Sequence, residues 1–289
     1  HRGWYNSSHI IGRATRGEPP YRAVVTHGFV VDKDGFKMSK RLGNVIDPVE
    51  VCEKYGADIL RYWVSSVDWA NDAPCYDELL KQIGEQYRTV RNTMRFLLGN
   101  LGDYNAPYDG LMEDVDEWAF EQTDLLSAEC ADAYLRYDFG AVITAVHNFC
   151  GREMSRFYID AIKDRMYCDG ADWPARRSAQ AACHYTLLNL VRLVAPILPF
   201  TAEEVYARIP AMDLLDSVHM EVLPVPTEER LAEIEGSERQ MRFAALIAER
   251  ADAFAAFEAW KTTAEVKDKR ARESFQDERS GTRRGARVV

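Results

Sequence analysis

From Asp77 onward, apolar side chains return at Leu79, Ile83, Tyr87, Val90, Met94, Leu97 and Leu101, three or four residues apart. Only an α-helix collects that spacing on one face, so the stretch is bound to form a long helix with one side against a core. Gly99 and Gly102 weaken its last turn. The same period predicts further helices near 116–136, 138–167 and 173–195, separated by Cys168-Asp169-Gly170-Ala171-Asp172 and by Pro196 and Pro199. Thr201-Ala202-Glu203-Glu204 has the form of a capping box and predicts a short helix that ends before Pro210. Residues 211–236 read as loop with one strand at Val218 to Leu223, and a helix over about 237–261 closes the pattern. Long helices joined by short loops pack as an antiparallel bundle, and no internal repeat suggests a solenoid instead.

The first part of the chain follows another rule. Arg22-Ala23-Val24-Val25-Thr26 is short and rich in β-branched residues, which predicts a buried strand. Phe29-Val30-Val31, then Asp32-Lys33-Asp34-Gly35 and Phe36, predicts a hairpin turning at Asp34-Gly35. Asp47-Pro48-Val49-Glu50 announces a helix, with Asp as N-cap, Pro at the first helical position and Glu three residues after the cap. The expected fold class is therefore α/β followed by all-α.

A length of 289 residues with 47% hydrophobic composition admits two domains. The chain opens at His1, directly in a dense polar and aromatic segment, which reads as a start inside a domain. No apolar run nears the roughly 20 residues that span a bilayer, and no charged-then-apolar leader is present, so a soluble intracellular protein without membrane association is expected. Cys52, Cys75, Cys130, Cys150, Cys168 and Cys183 form no C-x-x-C pair; they read as reduced, mostly buried thiols, with no zinc knuckle in this segment. The net charge of −10 is unevenly spread. Residues 1–46 carry eight Lys and Arg against three Asp and Glu, residues 261–289 carry nine against five, and the stretch between them has a net of −19. Any polyanion must therefore be met by local basic stripes. Residues 263–289, with Arg283-Arg284 between glycines, read as a disordered basic tail.

Lys37-Met38-Ser39-Lys40-Arg41 lies between Gly35 and Gly43. Two ammonium groups on a loop that glycines allow to bend can follow negative charge as it builds on a polyphosphate, although a solvated basic turn has the same composition. The neighbouring motifs narrow the choice. His1-Arg2-Gly3-Trp4-Tyr5-Asn6-Ser7-Ser8, His27-Gly28, Gly43-Asn44 and Gly56-Ala57-Asp58-Ile59-Leu60-Arg61 occur with this loop in an order that resembles the isoleucyl-tRNA synthetase family of class I aminoacyl-tRNA synthetases. Tyr87-Arg88, Arg91-Asn92-Thr93, Phe157-Tyr158, Ile162-Lys163-Asp164-Arg165 and Ala195 to Val205 look like the helical anticodon-binding domain of that family, so the resemblance covers roughly residues 1–260.

The resemblance implies an aminoacyl-tRNA ligase that activates isoleucine with ATP and Mg2+ and transfers it to tRNA, as a cytoplasmic monomer. It implies the C-terminal part of a Rossmann-like catalytic domain at 1–46, a helical connecting segment at 47–76 and the anticodon-binding bundle at 77–262. Lys37, Ser39 and Lys40 would be catalytic, and Met38, Arg41, His27 and Gly28 would join them around ATP. Arg41 departs from the Ser more usual at the end of the family motif. His1, Gly3 and Trp4 would line the amino-acid pocket, although a core role fits Trp4 equally well. Arg88, Arg91 and Arg95 on one helix and Arg152 and Arg156 on another are candidate tRNA contacts, with a Glu85–Arg88 salt bridge as the competing reading; Arg176-Arg177 is a third such pair, and Trp173 reads as a packing residue. The valyl and leucyl enzymes, and a tRNA-binding module without catalysis, are the alternatives.

Overall fold

The computed structural model describes residues 3–210, 214–253 and 255. Helix α1 (Trp4–Arg16) comes first and ends at Gly17. Sequence reading placed no helix there. The strand expected at 22–26 does not form: the segment is irregular, and no ladder among the described residues takes up its backbone groups. β-branched residues favour a strand only where a neighbouring strand completes the hydrogen bonds.

The strand that does form is β1 (Val30–Val31), which pairs in parallel with β2 (Ala73–Pro74). A parallel pair needs a crossover, supplied by α2 (Pro48–Tyr55) and α3 (Ala57–Ser66). The predicted hairpin closes behind β1, where Val31 bridges Lys37 antiparallel and Gly35 turns at φ +82°. Asp47 caps α2 as expected, its carboxylate accepting from the Val49 N–H at 2.8 Å. Trp63 on α3 donates its indole N–H to the Pro74 carbonyl at 3.1 Å and holds β2 against the crossover.

Helix α4 (Asp77–Gly99) buries Leu80, Ile83, Val90, Met94 and Leu97, close to the predicted stripe. Its first residue is also a junction: the Asp77 carboxylate takes Lys54 at 2.6 Å from α2 and Lys81 at 2.8 Å from its own first turn. Lys54, then Lys81 and the Tyr55 hydroxyl, hold the Asp77 carboxyl well below the usual range.

Three more long helical rods complete the bundle. They are α5 (Asp114–Leu135), a rod made of α6 (Phe139–Asn148), a π-helical stretch (Phe149–Tyr158) and α7 (Ile159–Cys168), and α8 (Pro174–Val194). Successive rods alternate in direction, but α4 packs on α8 and on the α6–α7 rod rather than on its successor α5. Helices α5 and α8 are neighbours that run the same way, as the pairs Asp116–Ser178, Thr123–Thr186 and Tyr134–Leu193 show. The core between them includes Trp118, Met94, Met154, Ile162, Leu187 and Leu190. Cys75, Cys130, Cys150 and Cys183 are buried, Cys168 is exposed, and all six thiols are free.

Two expectations beyond the bundle need correction. Thr201 does not cap a helix, because Pro199 starts α9 (Pro199–Tyr206) two residues earlier and puts Thr201 inside its first turn. The cap comes from α3: the carboxylate of Asp58, 7% exposed, accepts from the Thr201 N–H at 2.7 Å, the Thr201 hydroxyl at 2.5 Å and the Phe200 N–H at 3.4 Å. One turn along α3, Arg61 donates to the carbonyls of Pro196 and Ile197 at 2.7 and 2.9 Å. The strand expected at 218–223 is a single 3-10 turn (Val218–Met220), and α10 (Glu228–Glu235), with Thr227 as its cap, follows where loop was expected.

The closing helix is present over residues 238–253, and its predicted end, like the basic tail, lies outside the described residues. Trp173, read as a packing residue, stands largely exposed with its ring against Gly170. Among the described residues no helix is long and apolar enough to cross a membrane.

Asp58→Ala should lower the unfolding free energy by about 2 kcal/mol in a urea titration, because it removes a cap and strands donors in a buried place. Asp58→Asn should lose less. Wild-type stability in the alanine variant would mean that water reaches the start of α9.

Candidate functional site

The basic loop is rigid at its base and free at its tip. Asn44 is the brace: its Oδ1 accepts from the Ser39 N–H at 2.9 Å, and its Nδ2 donates to Asp32 Oδ2 at 2.7 Å and to the Lys37 carbonyl at 3.5 Å. The other oxygen of Asp32 accepts from the N–H groups of Asp34 and Phe36 at 3.0 and 2.9 Å. The Asn44 amide, then the Phe36 N–H, lower the Asp32 carboxyl from its ordinary range. Met38 donates its N–H to the Val30 carbonyl at 3.2 Å and tucks its side chain against the core. The loop leaves this frame through Gly43, whose φ of +68° a side chain would resist.

The charged groups point away from the frame. Lys40 and Arg41 are exposed and form no salt bridge among the described residues. The Lys37 ammonium lies 3.7 Å above the Phe29 ring, a cation–π contact that holds it without neutralising it. Ser39 turns its hydroxyl back to the Leu42 N–H at 3.3 Å. Lys37, Ser39 and Lys40 thus share one loop whose cations remain available to an anion.

His27 and Gly28 lead into β1. The His27 Nδ1 donates to the Gly28 carbonyl at 2.7 Å. Gly28 has a steric reason to be glycine, since a Cβ there would come within 2.2 Å of the Asn71 carbonyl oxygen. The Gly28 N–H meets the Trp69 carbonyl at 2.9 Å, and Phe29 N–H meets Asp72 Oδ1 at 2.7 Å. These bonds lay the segment before the basic loop along residues 69–75.

The other candidates are scattered. Gly3 precedes α1 and Trp4 begins it, 84% exposed, so no pocket wall is built around the indole by the described residues; His1 lies outside them. Arg88 is paired with Glu85 at 2.8 Å, the competing reading of that position. Arg91, Arg95, Arg152 and Arg156 are exposed and make no salt bridge among the described residues. Arg176 and Arg177 are structural instead: Arg176 grips the Asp103 carboxylate at 2.6 and 3.2 Å, and Arg177 donates to the Asp103 carbonyl at 2.8 Å.

Known proteins combine the same parts. The family model for the anticodon-binding domain of tRNA ligase matches residues 116–275, more than half the chain, and the model for class I tRNA synthetases (I, L, M and V) matches residues 1–76. The chain belongs to the class I tRNA ligase family. It is 49% identical over 239 residues to the isoleucine–tRNA ligase of Carboxydothermus hydrogenoformans, covering 81% of this chain and 26% of that protein. The isoleucine–tRNA ligase of Desulforudis audaxviator is 43% identical over 273 residues, 93% of this chain and 29% of its own length. The chain thus spans about a quarter of the curated relatives it matches. The fold resembles the Agrobacterium radiobacter K84 agnB2 LeuRS, seen in a ternary complex with tRNA and LeuAMS, with a TM-score of 0.60 at 21% identity over 78% of this chain and 27% of that one.

Asp32 and Asn44 are the site residues that motif reading passed over. Gly43-Asn44 stood out as part of the family pattern, but nothing in the spacing of 32 and 44 says that their side chains meet. Asn44→Ala should leave α4 intact and speed amide exchange at Ser39 about fivefold, the equivalent of one ordinary net hydrogen bond. Exchange at an unchanged rate would remove Asn44 from the brace.

Proposed function

We propose that the chain is the part of an isoleucine–tRNA ligase that carries the phosphate-binding loop and the anticodon-binding bundle. The observation behind this reading is that one braced body holds a two-lysine loop and an anticodon-binding bundle, in a chain whose relatives are isoleucine–tRNA ligases over most of its length. The division proposed is 1–46 from the catalytic domain, 47–76 as the connecting segment, 77–262 as the bundle and 263–289 as the tail. A cytoplasmic monomer acting on ATP, isoleucine and tRNA accords with it.

Lys37 and Lys40 act on the departing pyrophosphate. As the isoleucine carboxylate attacks the α phosphorus, the bond to the bridging oxygen breaks and charge accumulates on the β and γ phosphates, with Mg2+ arriving as part of the ATP complex. An ammonium that meets this charge more strongly in the transition state than in bound ATP raises the rate. A base fixed by Asn44 limits where the tip can go, and the tip moves because Lys40 and Arg41 are untethered. Lys37 reaches phosphate by leaving the Phe29 ring. His27, Gly28 and Met38 support the nucleotide from the β1 side, and His1, Gly3 and Trp4 form the amino-acid wall together with surfaces outside the described residues.

Grafted in place of the matching segment of the Carboxydothermus enzyme, this chain should support isoleucine-dependent ATP–pyrophosphate exchange. Lys40→Ala in that chimera should slow exchange by 10-fold or more, on the order of the loss of one charge-stabilising donor, with little change in the isoleucine KM. The 289-residue chain alone should give no exchange. An unaffected rate in the Lys40→Ala chimera would remove this lysine from the mechanism, and exchange with valine or leucine in preference to isoleucine would reassign the substrate.

Against an acidic bundle, tRNA binding must rest on local arginines and fall steeply with salt. Arg91→Gln with Arg95→Gln should weaken filter binding of tRNA and flatten its salt slope, while adding Arg88→Gln should change little because Glu85 already holds it. Circular dichroism should be unchanged, since Ile83, Val90, Met94 and Leu97 are untouched. Full affinity in the double variant would direct attention to Arg152 and Arg156.

A further inference from the structure

Helix α5 ends in a Schellman cap with an unusual occupant. The Asp138 N–H donates to the Ala133 carbonyl at 2.9 Å and the Tyr137 N–H to the Tyr134 carbonyl at 3.1 Å. This pair of bonds requires the residue after the C-cap to be left-handed, a position that glycine fills without steric cost. Here it is Tyr137, at φ +59°. The other positive-φ positions among the described residues, Gly17, Gly35, Gly43 and Gly56, are all glycine. A bulky L-residue in that conformation is strained, and strain of this kind is held where the side chain has work that glycine could not do.

Tyr137, 46% exposed, lines a groove of about 540 Å³ between the end of α3 and the start of α6. Val67, Asp68, Trp69, Arg136 and Asp138 line it too. The Trp69 indole N–H donates to the Tyr137 carbonyl at 2.9 Å, so the two sides are tied together and the groove is preformed. Its charges are anchored. Asp68 accepts from the Ala70 N–H at 3.0 Å and from Asn71 Nδ2 at 2.7 Å, Asp138 accepts from the Ala141 N–H at 3.0 Å, and Arg136 pairs with Asp132 at 2.6 Å. Each carboxylate keeps free lone pairs. Aromatic side chains beside oriented carboxylates suit a flat group with N–H donors on its edge and disfavour a bare phosphate.

We propose that this groove takes one unstacked nucleobase of the bound tRNA, an adenine, cytosine or guanine, with Tyr137 as its stacking platform. The inference rests on the tRNA-ligase reading above and adds a contact outside the arginine stripes. Sequence-tolerant stacking on an exposed ring is how proteins hold unpaired bases.

The test uses the 289-residue chain and an isoleucine tRNA transcript, with binding followed by fluorescence anisotropy at low salt and stability by thermal melting. Tyr137→Gly and Tyr137→Asn both suit the left-handed position, so they should melt no lower than the wild-type chain. They should bind tRNA about 5- to 100-fold more weakly, the range for one lost stacking contact, with an unchanged salt slope because no phosphate contact is removed. Tyr137→Phe should bind like wild type. Wild-type affinity in the glycine variant overturns the groove and leaves the ligase reading standing, whereas a wild-type chain that binds no tRNA overturns both. A lower melting temperature for the glycine variant would show that the ring serves packing. A dimer dispersed by Tyr137→Gly at constant tRNA affinity would assign the groove to a second copy of the chain.

Discussion

The grip of α3 on the turn between α8 and α9 is a directed contact that ties the segment before the bundle to the bundle itself. Asp58 and Arg61 stand one helical turn apart, so one side chain meets the exposed N–H groups at the start of α9 while the other meets the carbonyls just before it. Backbone groups at a helix junction must find partners, and here an acid and a base on a single face supply both kinds. The same helix is packed against β2 through Trp63, and β2 is paired with β1, directly before the basic loop. A short path of directed bonds therefore runs from the bundle to the base of the lysine loop.

Within the bundle, Asp116, Glu121 and Asp124 of a strongly acidic sequence are buried. Asp116, fully buried, accepts from Tyr158 at 2.8 Å, from Ser178 at 2.5 Å and from both Arg165 nitrogens at 2.9 and 3.0 Å, joining α5 to the π-helical stretch, α7 and α8. Burial, reinforced by the Asp116 charge, pushes the Tyr158 hydroxyl well above its ordinary pKa and keeps it a donor. A buried pair of this kind contributes more to selecting one helix register than to net stability, because desolvation offsets most of its attraction. Glu121 holds Arg239 and Gln240, and Asp160 holds Arg250, so acids also fasten the closing helix. Many arginines are spent in this way. Arg91 and Arg95 on α4 are among those left facing water.

The lysine loop and the Tyr137 turn show two ways of preparing a site. In the loop, side-chain amide and carboxylate bonds fix the base, while the Lys40 and Arg41 side chains face water without a salt bridge among the described residues. At the turn, the cap bonds hold the backbone in a conformation its residue resists.

The sequence by itself determined the long helices of the bundle and the family. Apolar spacing over 77–101 needs no partner to be recognised, since the 3.6-residue period is a property of the chain, and Asp47-Pro48 carries its own cap two residues away. The two-lysine loop was legible for a similar reason: its chemistry is contiguous. What only the tertiary structure decided were the pairings between distant positions, which no local pattern encodes. Thr201 looked like a cap because its neighbours fit the pattern, yet Asp58 holds that role from 143 positions away in sequence. Val24 and Val25 have strand propensity, but a strand exists only when another backbone accepts its bonds, and β1 found that partner at residues 73–74. Arg88 and Arg91 read alike on one helix, and the Glu85 carboxylate takes up only the first. Tyr137 carried no signal at all, because positive φ is imposed by the cap bonds at the end of α5 and cannot be read from a tyrosine in a row of letters.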